Sequence, residues 1–249
     1  MSRNFELLHE AGKVQEMLRQ RLEVTSSPAM VVTGSPALHI EGAARDEVLK
    51  LVQSLFLTTG PHRTRQVVFA GTESGSGTSW MCAHAAEILA AQGLGSVCAV
   101  DCNLVSPALH EQFRVQNHFG LAEALLGIEP IRQYVQQLSR PNLWLLSGGS
   151  RSEKSHDLLT QEMMRRRMLE LRAEFDYVLF DVAAVNAGND AAILGSWCDG
   201  VAIVVKANST NRKDARQAVK DIQAASTLVL GAILNQRTFP IPESIYNRL

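Results

Sequence analysis

The chain has 249 residues, with 24 basic and 25 acidic side chains and a formal net charge of −1. That balance excludes a uniformly basic, phosphate-gripping surface, and no apolar run approaches the ~20 residues of a membrane span. At this length one α/β domain with appendages buries roughly three quarters of its unfolded surface, and four cysteines without Cys-x-x-Cys spacing (Cys82, Cys98, Cys102, Cys198) are expected as reduced, buried thiols of a cytoplasmic protein.

In chain order, Phe5, Leu7, Leu8, Val14, Met17, Leu18 and Leu22 fall near i, i+3, i+4 spacing and predict a helix over 1–22. A helix this short is expected to dock on its own domain or on another subunit. The N-terminal residues lack the apolar core of a secretory leader. Residues 23–41 read as a linker, rich in Ser, Pro and Gly, so 1–41 forms an extension and 42–249 the domain. A second helix over about 43–58 gathers Val48, Leu49, Leu51, Val52, Leu55 and Phe56 on one side and ends at Gly60-Pro61. Strand-like apolar runs follow at 66–71, 96–101, 142–146, 176–181, 200–206 and 228–234. Between them lie helical stretches at about 79–92, 106–138 in pieces, 155–174, 188–196 and 211–225. This alternation predicts an α/β, doubly wound and mostly parallel sheet covered on both faces, with right-handed crossovers and ligands at the carboxyl ends of the strands. The tail, 238–249, is irregular apart from a last turn of helix.

Three segments carry chemistry. Gly71-Thr72-Glu73-Ser74-Gly75-Ser76-Gly77-Thr78-Ser79 follows the apolar run Val67–Ala70 and opens a helix, the layout of a phosphate-binding loop. Its glycines permit close backbone approach, its amides and helix start favour an anion, and Ser79 stands where a hydroxyl meets Mg²⁺. The lysine of that pattern is absent: Thr78 holds its place. Read alone, the stretch favours phosphate binding over the alternative, a Gly/Ser turn between any strand and helix. Asp101 ends an apolar run and puts a carboxylate at the sheet edge, as a base, a holder of metal-bound water, or a cap for a helix starting near Ser106-Pro107. Asp181 ends Tyr177-Val178-Leu179-Phe180, where a carboxylate would hold Mg²⁺ directly or through water.

Taken together, these residues resemble the cytoplasmic domain of the bacterial tyrosine autokinases of capsule and exopolysaccharide synthesis, a deviant-Walker P-loop branch that also includes chromosome- and septum-positioning ATPases. The resemblance runs from about residue 40 to the C-terminus. It rests on Asp101-Cys102-Asn103-Leu104-Val105 with Pro107, His110, Phe113 and Gly120-Leu121, on Asn142 to Gly149 before Leu158-Leu159, and on Phe175 to Asp181 with Asp190-Ala191 and Asp199-Gly200-Val201. Gly231-Ala232-Ile233-Leu234-Asn235 resembles the strand whose terminal Asn contacts adenine. The resemblance implies an ATP/ADP site with Mg²⁺. Its cradle would comprise Gly75, Ser76, Gly77, Thr78, Ser79 and Trp80, with Asn235 and Arg237 beside the nucleotide, Asp101, Asn103 and Asp181 in the catalytic positions, and Ser79, Asp101 and Asp181 around the metal. It also implies homo-oligomers, a transmembrane polysaccharide chain-length regulator as partner, and a cytoplasmic location at the inner face of the membrane through that partner; nucleic acid is not an expected partner.

The departures lie in the charged groups. Besides Thr78, Asn103 replaces the second Asp, Val105 the following Arg, Val182-Ala183-Ala184 a Thr-Pro-Pro, and Glu47-x-x-Lys50-x-x-Gln53 a Glu-x-x-Arg-x-x-Arg oligomerisation motif. The C-terminal tyrosine cluster is reduced to Tyr246, while Tyr134 and Tyr177 sit in regular segments and Tyr177 is expected to pack in the core. Lys154, Lys206, Arg212 and Arg237 are candidate stand-ins for the lost lysine; Arg63 and Arg65 lie at the wrong end of the first strand. The expected function is a catalytically impaired, tyrosine-autokinase-like subunit with weak nucleotide binding and a regulatory or scaffold role. The alternatives are an active autokinase with a relocated lysine and a positioning ATPase.

Overall fold

The computed structural model describes residues 37–57, 64–150 and 162–236. The expected helix over 1–22, most of the 23–41 linker, and Lys154, Arg237 and Tyr246 lie outside them. Seven strands form one sheet in the order β3-β4-β2-β5-β1-β6-β7. In chain order they are β1 (Gln66–Gly71), β2 (Val97–Asp101), β3 (Gln136–Gln137), β4 (Leu143–Leu146), β5 (Tyr177–Val182), β6 (Gly200–Lys206) and β7 (Val229–Asn235). All neighbours pair in parallel except β3 with β4. Seven α-helices are described: α1 (Gly42–Phe56), α2 (Thr78–Ala91), α3 (Leu109–Phe113), α4 (Leu121–Leu126), α5 (Glu162–Glu174), α6 (Asp190–Ser196) and α7 (Arg212–Ala224).

Side chains alternate across the sheet. Val67, Phe69, Val97, Ala99, Leu143, Leu145, Tyr177 and Leu179 face α1, α2 and α3. Val68, Ala70, Cys98, Val100, Trp144, Leu146, Val178 and Phe180 face α4, α5, α6 and α7. The central strands are buried along their whole length because both faces are covered. Tyr177 packs edge-on against Phe56, with ring centroids 5.8 Å apart, which is the packing role expected of it. All four cysteines are free, and burial raises each thiol's pKa.

Two expectations need correction. The stretch 106–138 holds helices only in part: Gln136–Gln137 pairs antiparallel with β4, and two polar residues carry no strand pattern. The helix after β2 starts at Leu109 rather than near Ser106-Pro107.

The end of the sheet away from the phosphate loop is tied across several elements. Asp199 accepts from the amides of Arg65 (2.7 Å) and Gln66 (2.8 Å) and from both terminal nitrogens of Arg172 (3.2 Å each). The Arg65 guanidinium donates to the carbonyls of Asp176 (2.9 Å), Phe175 (2.9 Å) and Arg172 (3.2 Å), so it faces away from any ligand at the carboxyl end.

Candidate functional site

The order β2-β5-β1 places Asp101, Asp181 and the loop after β1 side by side. Asp101 and Asp181 are register partners across β2 and β5, and Asp181 in turn faces Phe69 of β1. Alternation turns both carboxylates toward α2, whose first turn carries Thr78 and Ser79.

The two acids differ in their surroundings. Asp101 is fully buried and bonded: its Oδ2 accepts from the amides of Ala108 (2.8 Å) and Leu109 (2.9 Å), its Oδ1 from that of Asn103 (3.2 Å). It therefore holds the start of α3, which realises the capping role. Burial pushes its pKa up to about 6 against the pull of those amides. Asp181 is 1 % exposed and neither oxygen has a hydrogen-bond partner. Burial, then the neighbouring Asp101 charge, raise its pKa well above the carboxylate range; Ser79 pulls the other way without making a full bond. A buried acid of this kind is costly unless something meets it.

The loop is an ordered cradle. Gly75 and Gly77 take φ of 78° and 80°, conformations that other residues resist. Ser76 Oγ donates to Glu73 O at 2.6 Å, and Glu73 Oε1 accepts from Thr210 Oγ1 at 2.6 Å, tying the loop to the β6–α7 turn. The amides of Thr78, Ser79 and Trp80 lie in the first turn of α2 and have no intrahelical partner. Thr78 Oγ1 folds back over Gly71, 2.7 Å from where a Cβ there would stand, and a hydroxyl carries no charge to offer the cradle. Trp80 stacks on His84 with centroids 4.0 Å apart and lines a cleft between α1 and β7.

The remaining sequence candidates divide. Asn103 bonds locally, Oδ1 to the Ser106 amide at 3.3 Å. Asn235 sits at the loop, its Nδ2 donating to Ser76 O at 3.0 Å. Lys206 ends β6 two residues beyond Val204, the register partner of Gly71, and Arg212 is exposed at the first position of α7; neither bonds to Asp181. Sequence reasoning missed Glu73 and Gln236, whose partners are remote in the chain. It also gave no role to the buried, unpartnered Nδ1 of His110. In α1, Lys50 pairs with Glu47 of its own helix at 2.8 Å, both exposed.

The described helices include none long and apolar enough to cross a membrane. Described residues form no cluster of three or more His, Cys, Asp or Glu able to hold a metal by themselves. The arrangement of amide cradle, Ser79 hydroxyl and orphaned Asp181 fits a cation that brings its own anionic ligands, as magnesium does with phosphates.

Residues 64–229 match the family model described as cellulose biosynthesis protein BcsQ. The tyrosine-protein kinase YwqD of Bacillus subtilis is 30% identical over 171 residues, covering 69% of this chain and 72% of YwqD. The putative tyrosine-protein kinases EpsB of two Ralstonia species and the succinoglycan biosynthesis transport protein ExoP of Rhizobium meliloti are longer, and the chain spans 22% of their length. Among solved structures, the chimerical protein CapA2B2 superposes with a TM-score of 0.76 at 20% identity, over 85% of this chain and 94% of that one. The septum site-determining protein MinD of Pyrococcus horikoshii, complexed with Mg-ADP, gives 0.59 at 19% identity, over 74% and 76%. At these identities the solved structures establish the fold, a P-loop sheet.

Proposed function

Because the chain belongs to the BcsQ family and to the wider kinship of tyrosine-protein kinases of exopolysaccharide biosynthesis, we propose that it is a nucleotide-fold subunit of polysaccharide synthesis or export with impaired phosphoryl transfer. It binds Mg-ADP or Mg-ATP weakly and acts as a regulator or scaffold. A transmembrane chain-length regulator is the partner this reading favours, with the chain held at the inner face of the membrane.

The observation that carries the reading is Asp181, buried and unpartnered beside a loop whose lysine position is held by Thr78. The acid and the amides fit a magnesium-bound polyphosphate. Ser79 and Asp181 would hold the metal, Asp101 would support it, and the amides of Gly75 and of Gly77 to Ser79 would take the phosphates, the Ser76 amide being bonded to Glu73 O. Bound magnesium would neutralise charge on the phosphates. Thr78 cannot add to that neutralisation, and Asn103 has lost a carboxylate. Removing one such stabilising group typically costs about 10²–10³ in rate, so the kinase reading is the weaker one.

Two measurements test it. ADP with Mg²⁺ at 100 times its dissociation constant should stabilise the fold by about 2.7 kcal/mol, and chelation should remove the gain. Incubation with Mg-ATP should leave phosphotyrosine at trace level by mass spectrometry; robust modification would establish the active-kinase alternative.

A further inference from the structure

The back of the phosphate loop is held from a distant strand. Asn235 Nδ2 donates to Ser76 O at 3.0 Å and lies 3.5 Å from Gly77 O, while Gln236 Nε2 donates to Gly75 O at 3.1 Å. Both donors come from the end of β7, the edge strand of the sheet. Gly77 has a positive φ, and a side chain there would collide with the Asn235 amide and crowd Gln236.

A peptide unit is planar, with C=O and the next N–H pointing in opposite directions. Fixing the Ser76 carbonyl toward β7 therefore fixes the Gly77 N–H away from it, toward the cradle; Gly77 O accepts from the Met81 N–H at 3.0 Å, so the start of α2 sets the Thr78 N–H. Fixing Gly75 O sets the Ser76 N–H, which bonds to Glu73 O at 3.3 Å and closes the turn. In a loop with a lysine, a charge supplies much of the anion affinity. With Thr78 folded back over Gly71, amide direction has to supply it, and amide direction is set from behind.

We propose that Asn235 and Gln236 are positioning residues that aim the loop amides, so that affinity for a polyphosphate anion runs through the end of β7 instead of through a loop cation. The proposal rests on the nucleotide-site reading above and goes beyond it. One N–H of the Asn235 side-chain amide is committed to the loop, and its proposed effect on a nucleotide falls on the phosphates, which pyrophosphate binding separates from a contact to the base.

The test uses the full chain and the variants Asn235→Leu, Asn235→Ala and Gln236→Leu, which remove a donor without adding charge. Hydrogen exchange followed by mass spectrometry on the ligand-free protein should show peptides covering 72–80 exchanging about tenfold faster in the Asn235 variants, the worth of one hydrogen bond. Peptides from β5 should keep their wild-type rates, which controls for general unfolding. Inorganic pyrophosphate and ADP, each with Mg²⁺, should lose affinity by the same factor, again about tenfold. Unchanged loop exchange in both Asn235 variants would overturn the proposal. So would a loss confined to ADP with pyrophosphate unaffected, since that marks a reader of the base. If the wild-type protein binds neither anion, the nucleotide-site reading fails, and loop exchange by itself decides whether the tie exists.

Discussion

Thr78 and Asp181 mark what this site has lost and kept. Substituting Thr78→Lys returns a cation to a cradle whose amides and glycines are already in place. The expected result is Mg-ADP affinity raised roughly tenfold to a hundredfold, the worth of a charge-assisted bond, by calorimetry. Asp181→Asn removes a buried ionisable group and breaks no hydrogen bond, because the carboxyl has none. The folded-state pKa values of Asp101 and Asp181 are raised. Their contributions therefore favour the fold below the ordinary carboxylate range and are lost as pH rises, for Asp101 between about 4 and about 6. Urea titrations in chelator should show Asp181→Asn near wild type at pH 4 and more stable than wild type at pH 7, by about 1–3 kcal/mol. Gly77→Ala should cost about 1–2 kcal/mol from its backbone angle, before the crowding against Asn235 is counted.

At the scale of elements, α5 and α4 share one apolar core and are tied at its edge by one buried side chain. Arg167, 1 % exposed, donates to the carbonyls of Ala124 (2.8 Å), Gly127 (2.9 Å) and Glu129 (2.8 Å) and to Glu170 Oε2 (2.6 Å). It satisfies the open end of a six-residue helix that has too few turns to stand by itself. Arg167→Met should cost about 3–5 kcal/mol in urea denaturation, because three carbonyls and an acid lose their donor. Arg167→Lys should recover only part of this, since an ammonium cannot span the three carbonyls as the planar fork does. Six of the seven strands were legible as apolar runs because both faces of a parallel sheet are dry. Gln136–Gln137 was not, since its pairing with β4 is set by the chain around it. The start of α3 was misplaced for a related reason: its amides take their acceptor from Asp101, seven and eight residues earlier.

For the whole molecule, topology decides what the site is. The three segments that the sequence singled out converge because β5 lies between β2 and β1, and their order along the chain was enough to expect it. The ties from Glu73 to Thr210 and from Asn235 to Ser76 bridge 137 and 159 positions, and no local pattern announces such pairs. The two ends of the sheet are held differently. At the loop end, slender polar bonds fix a short glycine-bearing segment. At the other end, Arg65, Arg172 and Asp199 bolt β1, β5, β6 and α5 into one frame. That frame gives the molecule a built-in clock. Amides beneath it should open only with the whole fold, so their exchange reports global stability, while any ligand-induced slowing at the loop in excess of theirs measures what happens at the working end alone.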